Sequence, residues 1–509
     1  MIEFIELEKQ RQKIQSEFDA LKSQKQRNIL GQFATPITLA NSILKYAHEM
    51  IPNDSQIRFL DPAIGTGSFY SALINIFDLS RVETAVGYEV DEHYALPAQK
   101  LWSKTKLEYR IGDFTNAISP TKEEQKYSLI VCNPPYVRHH HINGRKKQLK
   151  QAAFDASGIN LSGLAGLYCY FLAFSHSWMQ LDCIAVWLLP SEFMDVNYGQ
   201  AIKKYLLHEV TLLQVHRFDP AEVQFNDALV SSVIIWFENR KPNVNHKVKF
   251  TFGGTIDEPK YSRDVDIEIL ANEKKWTRFP IFNERRNSKN LKLSQFFAIK
   301  RGIATGDNNF FIMSFEEIKQ RNLPIKEFRP ILPSPRYLDR TEIKANKQGY
   351  PIIDNKLFVL DCNLPLCEIE KCYPDLFNYL QVGIKNGILE RYICKKRKIW
   401  YAQEKRPSSN FYCTYIGRAS KKNKKPFRFI LNYSQAIVSN SYLVLYPNQS
   451  IELKIKDKPE LLQKIKDSLD RISSISMIEE GRVYGGGMRK LEPKELGNVS
   501  AEELAWLMN

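Results

Sequence analysis

The segment most informative about the fold reads IRFLDPAIGTG and spans residues 57–67. A short apolar strand, Ile57–Leu60, runs into the acid Asp61 and then into two glycines, and helical sequence follows from Tyr70. Glycines at the end of a strand permit a tight turn and let the backbone approach a ligand closely. Such a pair alone is weak evidence, and the third glycine of the dinucleotide-binding fingerprint is missing, so a pyrophosphate ligand is not favoured.

Short apolar runs alternate with helical sequence from about residue 31 to residue 240. The predicted strands are Ile57–Leu60, Ala85–Glu89, Leu107–Ile111, Ser128–Cys132, Cys183–Leu189 and Leu229–Phe237. Strands separated by crossover helices indicate a mostly parallel sheet that is covered on both faces. We therefore expect an α/β, doubly wound, Rossmann-like domain over residues 31–245.

Two other regions flank this domain. Residues 1–30 are polar, and Ile14, Phe18 and Leu21 form one narrow apolar stripe on a helix. We expect this N-terminal helical arm to pack on the neighbouring domain; the alternative is an arm that binds a partner. Residues 246–509 follow a Pro- and Asn-containing junction at 241–245 and are expected to form a second domain of mixed α+β structure.

The net charge of +15 is unevenly distributed. Residues 1–240 hold 24 Lys and Arg against 26 Asp and Glu, whereas residues 241–509 hold 48 against 31. Basic clusters at 395–398 and 421–425 lie beside aromatic residues. These aromatic residues are Trp400, Tyr401, Phe411, Tyr412, Tyr415 and Phe427. Positive charge with flat aromatic faces suits nucleic acid; the alternative is a solvated basic surface over an ordinary aromatic core.

Several classes of protein are disfavoured by composition. Acidic residues interrupt the N-terminus, and no stretch reaches about 18 apolar residues, so we expect a cytoplasmic protein without a membrane span. Eight cysteines in 509 residues do not indicate a disulfide scaffold. Cys362, Cys367 and Cys372 lack the C-x2-C spacing of most structural zinc sites, and the side chains of His139–His141 diverge, so no metal is expected.

Further functional groups follow the next predicted strands. Glu89 ends the second strand, and Asp113-Phe114 follows the third. Carboxyl ends of parallel strands meet at one edge of the sheet, where a carboxylate on the second strand accepts ribose hydroxyls. Together with the glycine-containing turn, these strand ends predict a nucleoside pocket.

The fourth predicted strand runs directly into Asn133-Pro134-Pro135-Tyr136. Two prolines remove backbone donors and fix φ, which holds this turn rigid and extended. The side-chain oxygen of Asn133 and the carbonyl oxygen of Pro134 can accept hydrogen bonds from the two N–H groups of a planar amine. Tyr136 offers a face for stacking. Alone, the tetrapeptide could equally be a strand-ending turn.

The ordered motifs resemble those of the TaqI-type, gamma-arrangement adenine-N6 DNA methyltransferases. The resemblance rests on Phe33-Ala34-Thr35-Pro36, Asp61-Pro62-Ala63-Ile64-Gly65-Thr66-Gly67, Glu89, Asp113-Phe114 and Asn133-Pro134-Pro135-Tyr136, followed by a basic C-terminal domain. Residues 300–308 and 484–494 are similar to segments that frame the target-recognition domains of such enzymes.

This resemblance implies a Rossmann-like methyltransferase domain that binds S-adenosylmethionine and a second domain, 246–509, that recognises double-stranded DNA. The implied cofactor residues are Thr35, Asp61, Pro62, Ala63, Gly65, Gly67, Glu89, Asp113, Phe114 and Pro135. The implied catalytic residues are Asn133, Pro134, Pro135 and Tyr136, with Phe225 as a second aromatic face. Direct transfer to a flipped-out adenine needs no metal and no covalent nucleophile.

The motifs leave alternatives open for the substrate and for the activity of the isolated chain. Asn-Pro-Pro-Tyr also occurs in methyltransferases of RNA adenine and of protein glutamine, although the long basic C-terminal region suits a polynucleotide. The chain could instead be a DNA-binding modification subunit that is active only with a partner. We expect a prokaryotic, nucleoid-associated enzyme and do not expect this chain to cleave DNA. A separate cognate restriction endonuclease is one candidate partner, and epigenetic regulation without such a partner is the alternative.

Overall fold

In a computed structural model of the protein, the described residues are 2–142, 144–220, 231–281, 291–418, 425–484 and 488–508. The chain divides into two compact units. The first comprises Met1–Asn283 with Tyr484–Gly486, and the second comprises Glu284–Val483 with Gly487–Asn509. In the described ranges, no helix combines the length and the apolar character that a bilayer span requires.

The first unit is built on one large sheet flanked by helices. Its strands are β1 (Ile57–Asp61), β2 (Val82–Glu89), β3 (Leu107–Ile111), β4 (Tyr127–Cys132), β5 (Met179–Pro190), β6 (Thr211–Arg217), β7 (Ser232–Glu238), β8 (Lys247–Gly254) and β9 (Pro259–Asp266). Its helices are α1 (Ile2–Ala20), α2 (Gln24–Leu30), α3 (Ile37–Met50), α4 (Ser68–Ile76), α5 (Glu92–Trp102), α6 (Lys146–Ser157), α7 (Leu167–Ser175), α8 (Gln200–His208) and α9 (Ile267–Asn272).

The strand order is β3-β2-β1-β4-β5-β7-β6-β8-β9. Strands β3, β2, β1, β4 and β5 run parallel, whereas β7 lies antiparallel to both β5 and β6. The chain order reverses between β1 and β4, and ligands of open α/β sheets bind at the carboxyl ends of strands at such a switch point.

The sheet buries side chains on both faces. Adjacent residues of β1 belong to different buried clusters: Phe59 packs in the cluster that includes Leu44 of α3, and Leu60 in the one that includes Leu172 of α7. Successive residues of a strand point to opposite faces, so helices cover both sides of the sheet. The predicted α/β domain with a mostly parallel sheet is confirmed, and β1 to β5 lie where strands were predicted.

The first unit extends beyond the boundary expected at residue 245. Strand β8 pairs in parallel with β6, and β9 pairs antiparallel with β8, so residues 247–266 lengthen the sheet. The junction at 241–245 is therefore a connection inside this unit. Strand β7 begins at Ser232, and the earlier part of the strand predicted from Leu229 lies outside the described residues.

The remaining strands are short. They are β10 (Phe297–Arg301), β11 (Ile312–Ser314), β12 (Phe328–Ile331), β13 (Glu342–Ile343), β14 (Leu357–Leu360), β15 (Phe411–Thr414), β16 (Ile416–Gly417), β17 (Phe429–Asn432), β18 (Tyr442–Pro447), β19 (Arg482–Tyr484) and β20 (Met488–Lys490). They form three sheets, in the orders β10-β18-β15-β17-β13, β11-β14-β12 and β16-β20-β19.

Helices accompany these sheets in the second unit. They are α10 (Leu293–Phe296), α11 (Asn308–Phe311), α12 (Phe315–Gln320), α13 (Leu366–Cys372), α14 (Pro374–Lys385), α15 (Tyr392–Lys395), α16 (Gln449–Asp457), α17 (Leu461–Arg471), α18 (Ser474–Glu480) and α19 (Pro493–Asn498). The aromatic residues beside the predicted basic clusters, from Trp400 to Phe427, are all buried. The core alternative is therefore correct for these rings, and Lys421–Lys424 lie outside the described residues.

The N-terminal arm packs on its own unit, as expected. Phe18 of α1 contacts His93 of α5, with ring centroids 4.9 Å apart, while Leu21 of the predicted stripe is 74% exposed. Helix α2 ends at Gly31 in a left-handed conformation, φ +66°. The carbonyl oxygen of Gly31 accepts a 3.1 Å hydrogen bond from the backbone N–H of Tyr136. This contact ties the arm to the Asn-Pro-Pro-Tyr turn.

Gly31→Ala should lower the free energy of unfolding more than Gly158→Ala. Both glycines have φ near +67°, a conformation that costs other residues about 1–2 kcal/mol. A Cβ at Gly31 would lie 2.3 Å from the Tyr136 nitrogen, whereas one at Gly158 meets nothing within 4 Å. Urea denaturation of both variants measures the difference, and equal destabilisation would show that the close approach at Gly31 is unimportant.

Candidate active site

The strand ends of the first unit surround a cavity of about 820 Å³. Eight of the residues expected in the site line it: Pro62, Ala63, Gly65, Glu89, Asp113, Phe114, Asn133 and Pro135. Five others, Thr35, Asp61, Gly67, Pro134 and Tyr136, are not among the lining residues. Phe225 lies outside the described residues. The structure thus brings most of the predicted residues around one cavity.

The glycine-containing turn is held by close packing. Gly65 and Gly67 have φ of +56° and +98°, and a Cβ on Gly67 would lie 2.5 Å from the Trp102 indole nitrogen. That indole donates a 2.9 Å hydrogen bond to the carbonyl oxygen of Thr66. Glycine is required at Gly67 by both backbone conformation and space, so the turn presents its backbone to the cavity in a fixed arrangement.

Asp61 is a buried carboxylate with one oxygen unpaired. Its Oδ1 accepts a 3.1 Å hydrogen bond from the backbone N–H of Ala63, while Oδ2 is buried and has no hydrogen-bond partner among the described residues. Burial raises the pKa of Asp61 well above its usual value, the Ala63 N–H opposes this rise, and the charge of Glu89 adds to it. An unpaired, buried carboxylate is costly, and groups with strongly shifted pKa values concentrate at functional sites.

Glu89 is held by backbone donors at the end of β2. Its Oε2 accepts a 3.1 Å hydrogen bond from the Gly65 N–H, and its Oε1 accepts a 2.8 Å hydrogen bond from the Asp91 N–H. Burial raises the pKa of Glu89, and these backbone hydrogen bonds act against the rise. Each carboxylate oxygen can accept a further hydrogen bond, so Glu89 lines the cavity as an oriented acceptor.

Asp113 and Phe114 form another side of the cavity. Asp113 Oδ2 lies 2.8 Å from Arg145 Nη1. Burial acts to raise the pKa of Asp113, but hydrogen bonds from Thr115 and Arg145 outweigh burial and hold this pKa below its usual value. The Phe114 ring is buried against Trp178, with centroids 5.1 Å apart. Arg145, in the basic stretch that follows the Asn-Pro-Pro-Tyr turn, therefore contributes to the cavity wall.

The side-chain amide of Asn133 is fixed by its nitrogen. Nδ2 donates to the carbonyl oxygen of Phe33 at 2.9 Å and to Thr35 Oγ1 at 3.1 Å. Oδ1 is buried and has no hydrogen-bond partner among the described residues. The amide is thus oriented with its donor side satisfied and its acceptor unused, at a residue that lines the cavity.

Tyr136 is anchored at both ends. Its hydroxyl donates a 3.1 Å hydrogen bond to the carbonyl oxygen of Leu188, and its backbone N–H is bound by Gly31. Its ring centroid lies 5.6 Å from that of Phe33. Pro134 beside it is buried. These contacts hold the Asn-Pro-Pro-Tyr turn against the Phe33–Thr35 segment, so the two motifs form one structural group.

The N-terminal arm supplies residues that sequence reasoning did not find. Gln15 and Lys22 line the cavity. Gln15 accepts a 2.7 Å hydrogen bond from the Thr66 hydroxyl, Lys22 forms an ion pair with Asp91, and Arg11 donates a 3.0 Å hydrogen bond to Thr66. The arm therefore contacts both the glycine-containing turn and the turn after β2. Polar residues on a polar helix carry no periodic signal that could have revealed these contacts.

Metal ligation finds no support in the described ranges. No group of three or more His, Cys, Asp and Glu side chains in them is arranged to hold an ion. Cys362 is buried, whereas Cys367 and Cys372 are exposed. His139–His141 form a short 3-10 turn, and His141 lines the cavity.

Two family models match the chain. Residues 71–224 match the Eco57I restriction-modification methylase model, and residues 274–505 match the C-terminal domain of the type II methyltransferase M.Eco57I. Type II methyltransferase M.AccI of Acinetobacter calcoaceticus is 26% identical over 97% of this chain and 89% of its own length. M.XamI of Xanthomonas campestris pv. amaranthicola is 24% identical over 93% and 85%.

One solved structure has a similar fold. The type IIL restriction-modification enzyme MmeI, solved in complex with DNA, is 14% identical, with a TM-score of 0.57 over 96% of this chain and 70% of MmeI. The chain spans 58% of the type IIG restriction endonuclease BpuSI, with 16% identity and a TM-score of 0.43. The family models and the two relatives together support a type II DNA methyltransferase.

Asp61→Asn should change how stability depends on pH. Because the pKa of Asp61 is raised by folding, wild-type stability is fully present below the usual value of 3.8 and falls as pH rises toward the folded pKa. The variant lacks this loss, so the free energy of unfolding of the variant minus that of the wild type should increase as pH rises from 4 to 8. Urea denaturation without ligand measures this difference. Asp78→Asn is the control, because Asp78 is exposed and its pKa is lowered rather than raised. If the difference in unfolding free energy between Asp61→Asn and the wild type does not vary with pH, Asp61 does not carry a buried charge.

Proposed function

We propose that this chain is a TaqI-type, adenine-specific DNA methyltransferase that transfers a methyl group from S-adenosylmethionine to N6 of an adenine in duplex DNA. The observation that carries the proposal is the buried, unpaired Oδ1 of Asn133 at the cavity. An acceptor without a partner is costly in an apo protein, and a substrate amine would satisfy it.

The other side chains suit an adenosyl cofactor. Glu89 accepts the ribose hydroxyls, and Asp113 and Phe114 lie at the adenine ring. Asp61 does not line the cavity, and its part is to hold the turn that does, through the hydrogen bond that its Oδ1 accepts from the Ala63 N–H. Pro62, Ala63, Gly65, Gly67 and Pro135 shape the surface that the cofactor meets. S-adenosylmethionine, when bound, supplies an electrophilic methyl group on a sulfonium centre.

The acceptor residues orient the base. Asn133 Oδ1 and the carbonyl oxygen of Pro134 accept hydrogen bonds from the two N–H groups of the exocyclic amine. These hydrogen bonds direct the lone pair of the amine toward the methyl donor. Tyr136, fixed at its hydroxyl and its backbone N–H, provides a face for stacking, and Phe225 provides the opposite one. Thr35, one of the implied cofactor residues, acts here through the hydrogen bond that it accepts from Asn133.

Duplex DNA requires one further step. The N6 amine of adenine is stacked and paired in a duplex, so the enzyme extrudes the base into the cavity at a cost of about a few kcal/mol. The second domain supplies contacts to DNA that offset this cost. As part of the same proposal, the enzyme acts in a prokaryotic cytoplasm on nucleoid DNA, beside a separate cognate restriction endonuclease.

Asn133→Ala should reduce the single-turnover rate of labelled methyl transfer to duplex DNA by about 10²- to 10³-fold, because it removes an oriented acceptor at the reacting amine. Thr35→Val should cause a smaller loss, since Phe33 still accepts a hydrogen bond from Asn133. Cofactor affinity, measured by calorimetry, should change little in both variants.

Asn53→Ala is the matched control, because Asn53 lies in an exposed turn of the same unit. This control should transfer at the wild-type rate. Near-normal transfer by Asn133→Ala would remove Asn133 from the proposed chemistry. A loss of cofactor affinity as large as the loss of rate would mean that Asn133 shapes the cofactor site rather than receiving the acceptor.

A further inference from the structure

The second unit contains a polar pocket of about 360 Å³, which we call the amide pocket. It is lined by residues 304–309, Arg391, Ile393 and Asn440. The 304–309 loop includes the Ala-Thr-Gly-Asp-Asn-Asn sequence that follows β10. The proposed chemistry of the first unit makes no use of this pocket.

The loop that forms the amide pocket is rigidly supported. Gly306 has φ +93°, and a Cβ there would lie 2.7 Å from the sulfur of Cys394. Arg397 donates a 2.7 Å hydrogen bond to the carbonyl oxygen of Ala304. Arg397 thus supports the pocket, although the sequence grouped it with a basic cluster that suits nucleic acid. A loop held on two sides can present side chains in a fixed geometry.

Three asparagines line the amide pocket, namely Asn308, Asn309 and Asn440. Thr305 Oγ1 donates a 2.7 Å hydrogen bond to Asn308 Oδ1, which fixes that amide and leaves its Nδ2 as a donor. Asn309 is exposed and Asn440 is partly buried, and neither side chain has a hydrogen-bond partner within the described ranges. The pocket therefore offers both donors and acceptors on planar groups.

The lining of the amide pocket and the residues next to it in the chain differ in charge. Within the lining, Asp307 Oδ2 lies 2.7 Å from Arg391, so these charges offset each other. Tyr392, between the lining residues Arg391 and Ile393 in the chain, is 72% exposed, and Lys396 Nζ lies 4.3 Å from its ring centroid. A carboxylate in the lining disfavours a phosphate inside the pocket, while the cation and aromatic face of Lys396 and Tyr392 suit the backbone of a nucleic acid.

We propose that the amide pocket reads base edges of duplex DNA, with Asn309 and Asn440 as specificity-determining residues. Asparagine amides pair with adenine through its N6 donor and N7 acceptor in the major groove, so an adenine edge is the favoured occupant. Lys396, which lies over the exposed Tyr392 ring, contacts phosphate. The inference rests on the proposed function for its DNA substrate, but it concerns recognition rather than transfer.

The test uses the full chain with Asn309→Ala, Asn440→Ala and the double variant. Each is incubated with cofactor and a randomised duplex library, and methylated sites are found by modification-aware sequencing. Binding of the same library without transfer is measured in parallel. The variants should lose about 10- to 100-fold in discrimination at one or two positions of the recognition sequence. Cofactor affinity should remain at the wild-type value.

Two controls separate base reading from general binding. Asn363→Ala removes an exposed asparagine of the same unit and should leave the recognition sequence unchanged. Lys396→Gln should weaken binding equally for all sequences and reduce the magnitude of its log–log salt slope by about 1. Circular dichroism of each variant checks folding, and Asn309→Gln with Asn440→Gln provides a second pair if an alanine variant does not fold.

The outcomes distinguish this inference from the proposed function. If the wild type methylates a defined sequence and the asparagine variants keep the same sequence and selectivity, the amide pocket does not read bases. Uniformly weaker binding without a change in preference would also overturn base reading and indicate a phosphate contact. If the wild type transfers no methyl group to DNA, the proposed function fails, and the parallel binding profiles still decide whether the amide pocket selects sequence.

Discussion

The proposed chemistry of the first unit depends on the side-chain amide of Asn133. Its nitrogen is satisfied by Phe33 and Thr35, which fixes its orientation, and its oxygen is buried with no hydrogen-bond partner in the part of the chain that the structure describes. The prolines after it keep the turn extended, and the contact between Gly31 and Tyr136 ties that turn to the N-terminal arm. Parallel strands bring the other functional side chains to the same edge of the sheet, so the position of this acceptor is set by the fold as a whole.

Two buried carboxyl groups lie at the strand ends of the first unit, and of these Glu89 lines the cavity. Burial raises the pKa values of Asp61 and Glu89, because it outweighs their backbone donors. Ionisation of such groups in the unliganded protein costs stability, and ribose hydroxyls that donate to Glu89 would recover part of that cost. The N-terminal arm closes the same cavity through Lys22 and Gln15.

Much of the catalytic unit could be predicted from the sequence, because short apolar strands and the groups at their ends depend on local pattern. The first unit extends past the boundary predicted at residue 245. This happens because β8 pairs with β6, a strand distant in sequence, and β9 then pairs with β8. Charge counts could not separate Arg397, which supports a loop, from Lys396, which is exposed. The ion pair of Arg145 with Asp113 and the contacts of Gln15 depend on tertiary placement, which residue spacing does not encode.

The central claim is that Asn133 receives a planar exocyclic amine of a base in duplex DNA. It is tested most directly by identifying the methylated nucleoside after the purified chain acts on equal amounts of duplex DNA and structured RNA with labelled S-adenosylmethionine. The account predicts N6-methyldeoxyadenosine as the labelled product. Label confined to RNA, or found at carbon 5 of cytosine, where no amine is involved, would contradict it.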